Sequence, residues 1–396
     1  MFDKVTTDYI YDGAEMLATP DLVFDRLRTE GDVLWSGSMG RWLVLSKSAA
    51  QQALREKHLK VYDVFRAFSH ISNLSGISLD QLVTVSSWIP FLNDGARHKQ
   101  LRSLFARVLQ EISEPYHVAY ERASLDLVNQ LRADGGGDFA TQYADRIHVE
   151  AFGRICGISA DDRAAFAQLA SSEGAVDFAV RVAILVEANE RAKAGLDKME
   201  AILARSEQSE ALDFVGRQLE SAGIQSTLSA KAEFLVALTS LGRDTLAGTL
   251  TLGLAQMFDD NGGQLTPKAW CDPAQMTNEF IRLSSAVQIV NRVATKPVTI
   301  AGQHIAEGEV LMIYLPAANR DPAAFACPHQ MDIKHDPGVP FGAGGHLCVG
   351  MQLTRKAIEI SLRHLSGLSS MTARPGRLIG QGKNTRKYEK LPITVE

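Results

Sequence analysis

Along much of the chain apolar residues return every three or four positions, the spacing that gives a helix one buried face. Such stretches run through Val118–Leu131, Ala179–Ala204, Ala230–Met257 and Pro273–Val287, and the clearest is Met351–Leu365. Ser46–Leu54 reads as a helix entered through a serine cap. Strand-like segments take over at Asp32–Trp35 and Arg41–Leu45, which flank Ser36-Gly37-Ser38-Met39-Gly40 as two strands flank a turn. A β-rich tract comes later at Val293–Ile300, Gln303–Ile305 and Val310–Tyr314, and a last strand at Lys390–Val395. Between Val61 and Phe91, Ser, Asn and Gly interrupt bulky apolar residues, which predicts an irregular binding loop or lid. Pro316–Gly338 reads as a turn-rich meander. The sum is a mainly α protein with a smaller β portion.

Composition narrows what such a protein can be. The 396 residues are 45% hydrophobic and 22% charged, enough to build a large core. No linker, charge block or repeat divides them, so one domain spanning 1–396 is expected. The net charge of −5 argues against a general nucleic-acid binder. The N-terminus has charges every few residues and predicts neither a signal peptide nor a membrane anchor. The most apolar stretch, Phe234–Met257, is broken by Arg243 and Asp244 and reads as a buried helix. The four cysteines show no paired spacing, which suits a reducing cytoplasm. No CxxC or HExxH spacing offers a zinc site.

The candidate chemistry sits just before the clearest helix, in Phe341-Gly342-Ala343-Gly344-Gly345-His346-Leu347-Cys348-Val349-Gly350. Glycines let the backbone take positive φ and approach a flat ligand. A cysteine at a helix start has N–H groups and the positive dipole end aimed at its sulfur, which favours a thiolate. Taken alone, a glycine cluster fits a turn with a structural cysteine equally well. The full spacing F-G-x-G-x-H-x-C-x-G resembles the haem-binding signature of the cytochrome P450 family at every defined position.

The resemblance implies the cytochrome P450 fold, with a long central helix over haem b. It makes Cys348 the iron ligand and places Phe341, Gly342, Gly344, His346 and Gly350 around the cofactor. Leu241-Gly242-Arg243-Asp244-Thr245 resembles the family's oxygen-binding motif. Helical geometry puts Leu238, Leu241, Gly242, Thr245 and Thr249 on one face. Glycine there would leave room for dioxygen, with Thr245 and Asp244 assisting proton delivery. Arg243 lies on another face, away from substrate. Glu279 and Arg282, three apart on a helix, resemble the family's structural ion pair. His98 and Arg102, at i and i+4, resemble an H-x-x-x-R segment that, with Arg292 and His346, would meet the haem propionates. Ala318-Asn319-Arg320-Asp321-Pro322 also matches. Three departures stand out: Leu241 where a small residue is usual, His335 where arginine is commoner, and no proline before His98.

The resemblance implies a stand-alone monooxygenase acting as a monomer in the cytoplasm. It would insert one atom of O2 into an apolar small molecule, in secondary metabolism or catabolism. With no reductase module fused, an external ferredoxin and its reductase are implied, docking on Arg97, Lys99, Arg107, Arg355 and Lys356. Pocket walls are expected from Val64–Leu92, around Ala170–Ala183, from Leu238, Leu241, Val287, Ile289 and Val290, and from Asn384–Tyr388. Two rivals stay open: peroxide-driven or oxidative-coupling chemistry, and a non-catalytic haem-binding sensor.

Overall fold

A computed structural model describes residues 4–7, 20–163, 182–206, 209–333, 337–374, 376–379 and 384–396. Twelve α-helices are described: α1 Pro20–Glu30, α2 Lys47–Arg55, α3 Val64–Ser75, α4 Asp80–Ser87, α5 Gly95–Ala133, α6 Asp145–Ile155, α7 Val182–Arg205, α8 Glu210–Ser221, α9 Leu228–Asp260, α10 Pro273–Ser284, α11 Leu315–Asn319 and α12 Met351–Leu365. Their apolar faces meet in one large cluster that includes Leu101, Phe105, Tyr120, Phe234, Leu250 and Ile358. The 33-residue α9 is buried through much of its length. Its small residues let neighbours close in: a Cβ on Gly253 would strike the Phe280 ring of α10. Among the described residues no helix is long and apolar enough to cross a membrane.

The β portion comprises, among the described residues, a six-stranded sheet beside the helices, a four-stranded sheet and two two-stranded ones. Strands β2 (Val33–Ser36) and β3 (Arg41–Val44) pair antiparallel across the turn read from the sequence. Strand β10 (Val310–Tyr314) runs parallel to β3 and antiparallel to β7 (Ile289–Ala294). The β-rich tract is thus split. Pairing in β7 begins at Ile289 and ends at Ala294, and Val298–Ile300 forms a separate hairpin with Gln303–Ile305. Pro297, which has no N–H to give a ladder, lies in the break.

The expected irregular stretch from Val61 to Phe91 is instead largely helical, as α3 and α4. Asp63 caps α3 by accepting the Arg66 N–H at 2.9 Å, and Gly76 ends it at φ +69°. Val64 and Phe68 are buried from one face, and Ser69 and Asn73 are exposed on the opposite one. Helix α5 runs on through Pro115, joining what the sequence pattern left as separate pieces. Elsewhere the match is close: α12 has the bounds read from the sequence, and Ser46 caps α2 through the Ala49 N–H.

Candidate active site

One large, mostly apolar cavity of about 570 Å³ is lined by α9, by β7 and by the Phe341–Gly350 segment. Cys348 opens onto it and is otherwise enclosed. Its N–H donates to the Phe341 carbonyl at 3.0 Å, closing the loop that precedes α12. Gly342 and Gly344 hold φ of +71° and +69°, conformations that side-chain-bearing residues rarely adopt. Gly344 serves contact with α2 and not the cavity: a Cβ there would collide with the Leu54 carbonyl. At Cys348 the expected lowering by backbone N–H groups works against burial. Burial raises the Cys348 pKa, and the Gly350 N–H and the Arg102 charge oppose it without prevailing.

Cationic groups gather at another part of the wall. Arg102 donates to the Leu347 carbonyl. Arg292, 5% exposed, donates to the Asn291 carbonyl at 2.8 Å. Burial lowers the Arg292 pKa to about 10, with Asp94 opposing. Among the described residues neither guanidinium forms an ion pair with a carboxylate. His98 stacks on His346 with ring centroids 4.0 Å apart. Burial, then the His346 and Arg102 charges, lower the His98 pKa to about 4, so His98 is a neutral hydrogen-bonding group. His346 is turned to Asp94, Nε2 to Oδ1 3.2 Å, and so is engaged by a carboxylate the sequence reading did not weigh. Asp94 also accepts the Val61 N–H at 2.7 Å.

On α9, Leu238, Leu241, Gly242, Asp244 and Thr245 all line the cavity. Thr245 Oγ1 donates to the Leu241 carbonyl at 2.7 Å, the local bond that competes with regular helix. Asp244 is 4% exposed, with Lys387 Nζ at 3.6 Å and Arg243 Nη1 at 3.9 Å. Lys387 and Arg243 also face Asp145 of α6, at 2.7 and 3.9 Å. Gly242 differs from expectation. A Cβ there would lie 2.7 Å from the His148 ring, so the space the glycine leaves is filled by an imidazole of α6.

Comparison with known proteins matches this geometry to one family. The Cytochrome P450 family profile matches residues 274–365, from α10 through the cysteine loop to the end of α12. A biotin biosynthesis cytochrome P450 of Bacillus subtilis is 24% identical over 97% of this chain and 98% of its own length. Cytochrome P450 109 of Bacillus spizizenii is 25% identical over 94% of this chain and 88% of its own. The crystal structure of P450BioI with an acyl carrier protein superposes at TM-score 0.80, with 21% identity, covering 97% of this chain and 100% of that one. The chain belongs to the cytochrome P450 family. It is a haem-binding monooxygenase with this family's fold. The residues present fit that cofactor. A cysteine sulfur opens into the cavity, and two guanidiniums with no carboxylate paired to them among the described residues stand at its wall.

The P450 cavity brings together most of the residues singled out in the sequence. His98, Arg102, Arg292, Phe341, Gly342, His346, Cys348 and Gly350 line it, as do Val287, Ile289 and Val290. Asn384, Thr385 and Lys387 reach it from the C-terminal segment, and Tyr62, Leu82 and Val85 from the expected lid. Glu279 and Arg282 do not. They form a buried bidentate pair, 2.7 Å at both contacts, away from the cavity. His335 and residues 170–181 of one expected wall lie outside the described residues. The sequence reading missed His148, Tyr116 and Asp94. A signal existed for His148: it falls on the helical stripe Ile147, His148, Ala151, Phe152, where a polar residue is out of place.

Proposed function

We propose that Cys348 is the axial thiolate ligand of the haem iron and that Arg102, Arg292 and His98 hold the propionates. The single observation that carries this reading is the shared cavity, which joins the cysteine, the cationic wall and the Thr245 face of α9. Bound haem supplies activation of O2 and insertion of one oxygen atom, with the thiolate's electron density favouring O–O cleavage. The chain's own residues do the rest. The apolar wall excludes water and binds a mainly hydrocarbon substrate, and Leu241 limits its bulk near α9. Thr245 and Asp244 hold protons at the groove, Asp244 being steadied by Lys387 and Arg243.

The single-domain enzyme acts as a cytoplasmic monomer, with electrons from a separate ferredoxin and reductase. Lys99, Arg107 and Lys356 are exposed on α5 and α12, and Arg355 lies over the Phe341 ring at 5.6 Å. Arg97 leaves that patch, since it bonds the Ser87 carbonyl and faces the Trp88 ring. Several similar proteins are named for biosynthesis, among them a bacillaene polyketide synthase P450 at TM-score 0.77 and 19% identity. These names support secondary metabolism over catabolism. Aerobic turnover of library compounds that shift the Soret band should require NAD(P)H, ferredoxin and reductase together. The product should gain one atom from labelled O2. Product without label, or turnover with peroxide alone, would favour coupling or peroxide-driven chemistry.

A further inference from the structure

Gly248 stands where the backbone has no need of a glycine. It is buried in the middle of α9 with the negative φ of any helical residue, and glycine weakens a helix interior. Contact explains it. A Cβ there would lie 2.5 Å from the Arg386 carbonyl oxygen and 2.8 Å from the Ala286 Cβ, where real Cβ atoms keep beyond 3.0 Å. Two chain segments therefore rest on α9 at one point: residues 286–288, between α10 and β7, and residues 384–388 near the C-terminus. They are bonded to each other. The Arg386 N–H donates to the Ala286 carbonyl at 2.9 Å, and the Gln288 N–H to the Asn384 carbonyl at 2.7 Å. Further along α9, Thr251 Oγ1 accepts the Tyr388 N–H at 3.2 Å. On the α6 side, Lys387 Nζ lies 2.7 Å from Asp145.

This double layer is one wall of the cavity. Ala286, Val287, Asn384 and Thr385 line it, as do Thr245 and Thr249 of α9, while Gly248 lies behind it. We infer that Gly248 is a specificity-determining position: by letting the two segments settle on α9, it narrows the space left for substrate beside Thr245. The inference rests on the reading of this cavity as a haem monooxygenase site. Gly248 touches no substrate, and acts through the wall as a positioning residue. The wall has no flexible side-chain end to turn aside, because the nearer atom is a backbone carbonyl held by bonds on either side of it. Interiors are packed densely enough that one added methyl is felt. Segments bonded to each other have to leave α9 together, which widens the cavity beside Thr245. The narrowing thus selects for width, favouring a substrate slim beside α9 over one with fused rings there.

Spectral titration of the holoenzyme with imidazoles tests this, since they ligate haem iron and place their substituent in the cavity. Imidazole itself should bind wild type and Gly248→Ala alike, because the haem site is unmoved. The Kd of N-naphthylimidazole divided by that of N-phenylimidazole should fall on the order of tenfold in Gly248→Ala, the discrimination that a methylene's room gives in an apolar pocket. Gly253→Ala is the control. It forces α9 against the Phe280 ring, away from the cavity, and should leave the ratio where it is. A crystal structure of Gly248→Ala should show Arg386 and Ala286 shifted off α9. An unchanged ratio in Gly248→Ala, an equal fall in Gly253→Ala, or an unmoved wall overturns the inference. Should Gly248→Ala load no haem, Thr251→Val takes its place. Losing the acceptor for the Tyr388 N–H loosens the same seat, so the ratio should fall by a smaller factor, and an unchanged ratio there also overturns the inference. If wild type gives no Soret shift with any imidazole, the haem-cavity reading fails instead, and the crystal structure of Gly248→Ala still decides whether Gly248 seats the wall.

Discussion

Arg102 and Arg292 are the residues whose surroundings ask most plainly for a missing counter-charge. Each has a backbone carbonyl as partner and no paired carboxylate among the described residues, and both line the cavity that holds Cys348. Two propionates would supply that charge. Removing one partner of a buried ion pair costs about 3–5 kcal/mol, and less where the other partner can turn to water. Arg102→Leu and Arg292→Leu are therefore expected to lose haem to an apo-myoglobin scavenger faster than wild type. Arg97→Leu is the internal control, since Arg97 bonds Gln100 and the Ser87 carbonyl outside the cavity. Equal rates in all three would mean the propionates lie elsewhere. These arginines were legible in the sequence through the family resemblance: Arg102 stands four after His98 in an H-x-x-x-R segment, and Arg292 follows Glu279 and Arg282 at the family's distance. His148 was legible only as a polar residue on an apolar stripe, because nothing in a short helix pattern says which residue of another helix its buried face will meet.

At the scale of elements, the α10–α11 region shows how an ion pair remote from the cavity sets the cysteine loop. Arg282 bonds both Glu279 oxygens and also donates to the carbonyls of Asn319, Pro328 and Gln330 at 2.6, 3.0 and 3.2 Å. Glu279 accepts the Asp332 N–H, and Asn319 Oδ1 accepts that of Val339, two residues before Phe341. The pair thus pins the meander that leads into the loop. Glu279→Gln or Arg282→Leu leaves a buried charge uncompensated, a loss of about 3–5 kcal/mol. Either variant should fold poorly and accumulate little haem protein, and growth with added haem should not restore it. A well-folded, haem-loaded Arg282→Leu enzyme would refute this role. Elements with a single strong period, such as α12, could be read from sequence to the residue. Helix α3 could not, because its exposed positions carry the Ser and Asn that also mark loops, nor could α4, whose eight residues include Thr84, Ser86 and Ser87. Only the Asp63 cap and Gly76 betrayed α3.

Across the whole molecule, the sheet and the helices put chemistry from distant parts of the sequence around one cavity. Arg102 comes from α5, Thr245 from α9, Arg292 from β7 and Cys348 from the loop before α12. The mainly helical class and the central helix could be read from periodicity alone. The convergence could not, since it depends on which faces pack together, and only the motif spacings hinted at it. In the proposed reading, haem ligation and the chemistry that depends on it turn on the sulfur of Cys348. Its most direct test is the carbon monoxide difference spectrum of the reduced protein, taken for wild type and for each of the four cysteine-to-alanine variants. Wild type, Cys156→Ala, Cys271→Ala and Cys327→Ala should all show the strongly red-shifted Soret band of a thiolate-ligated haem, and Cys348→Ala should not. Retention of that band in Cys348→Ala, or its loss in one of the other three with haem still bound, would contradict the assignment.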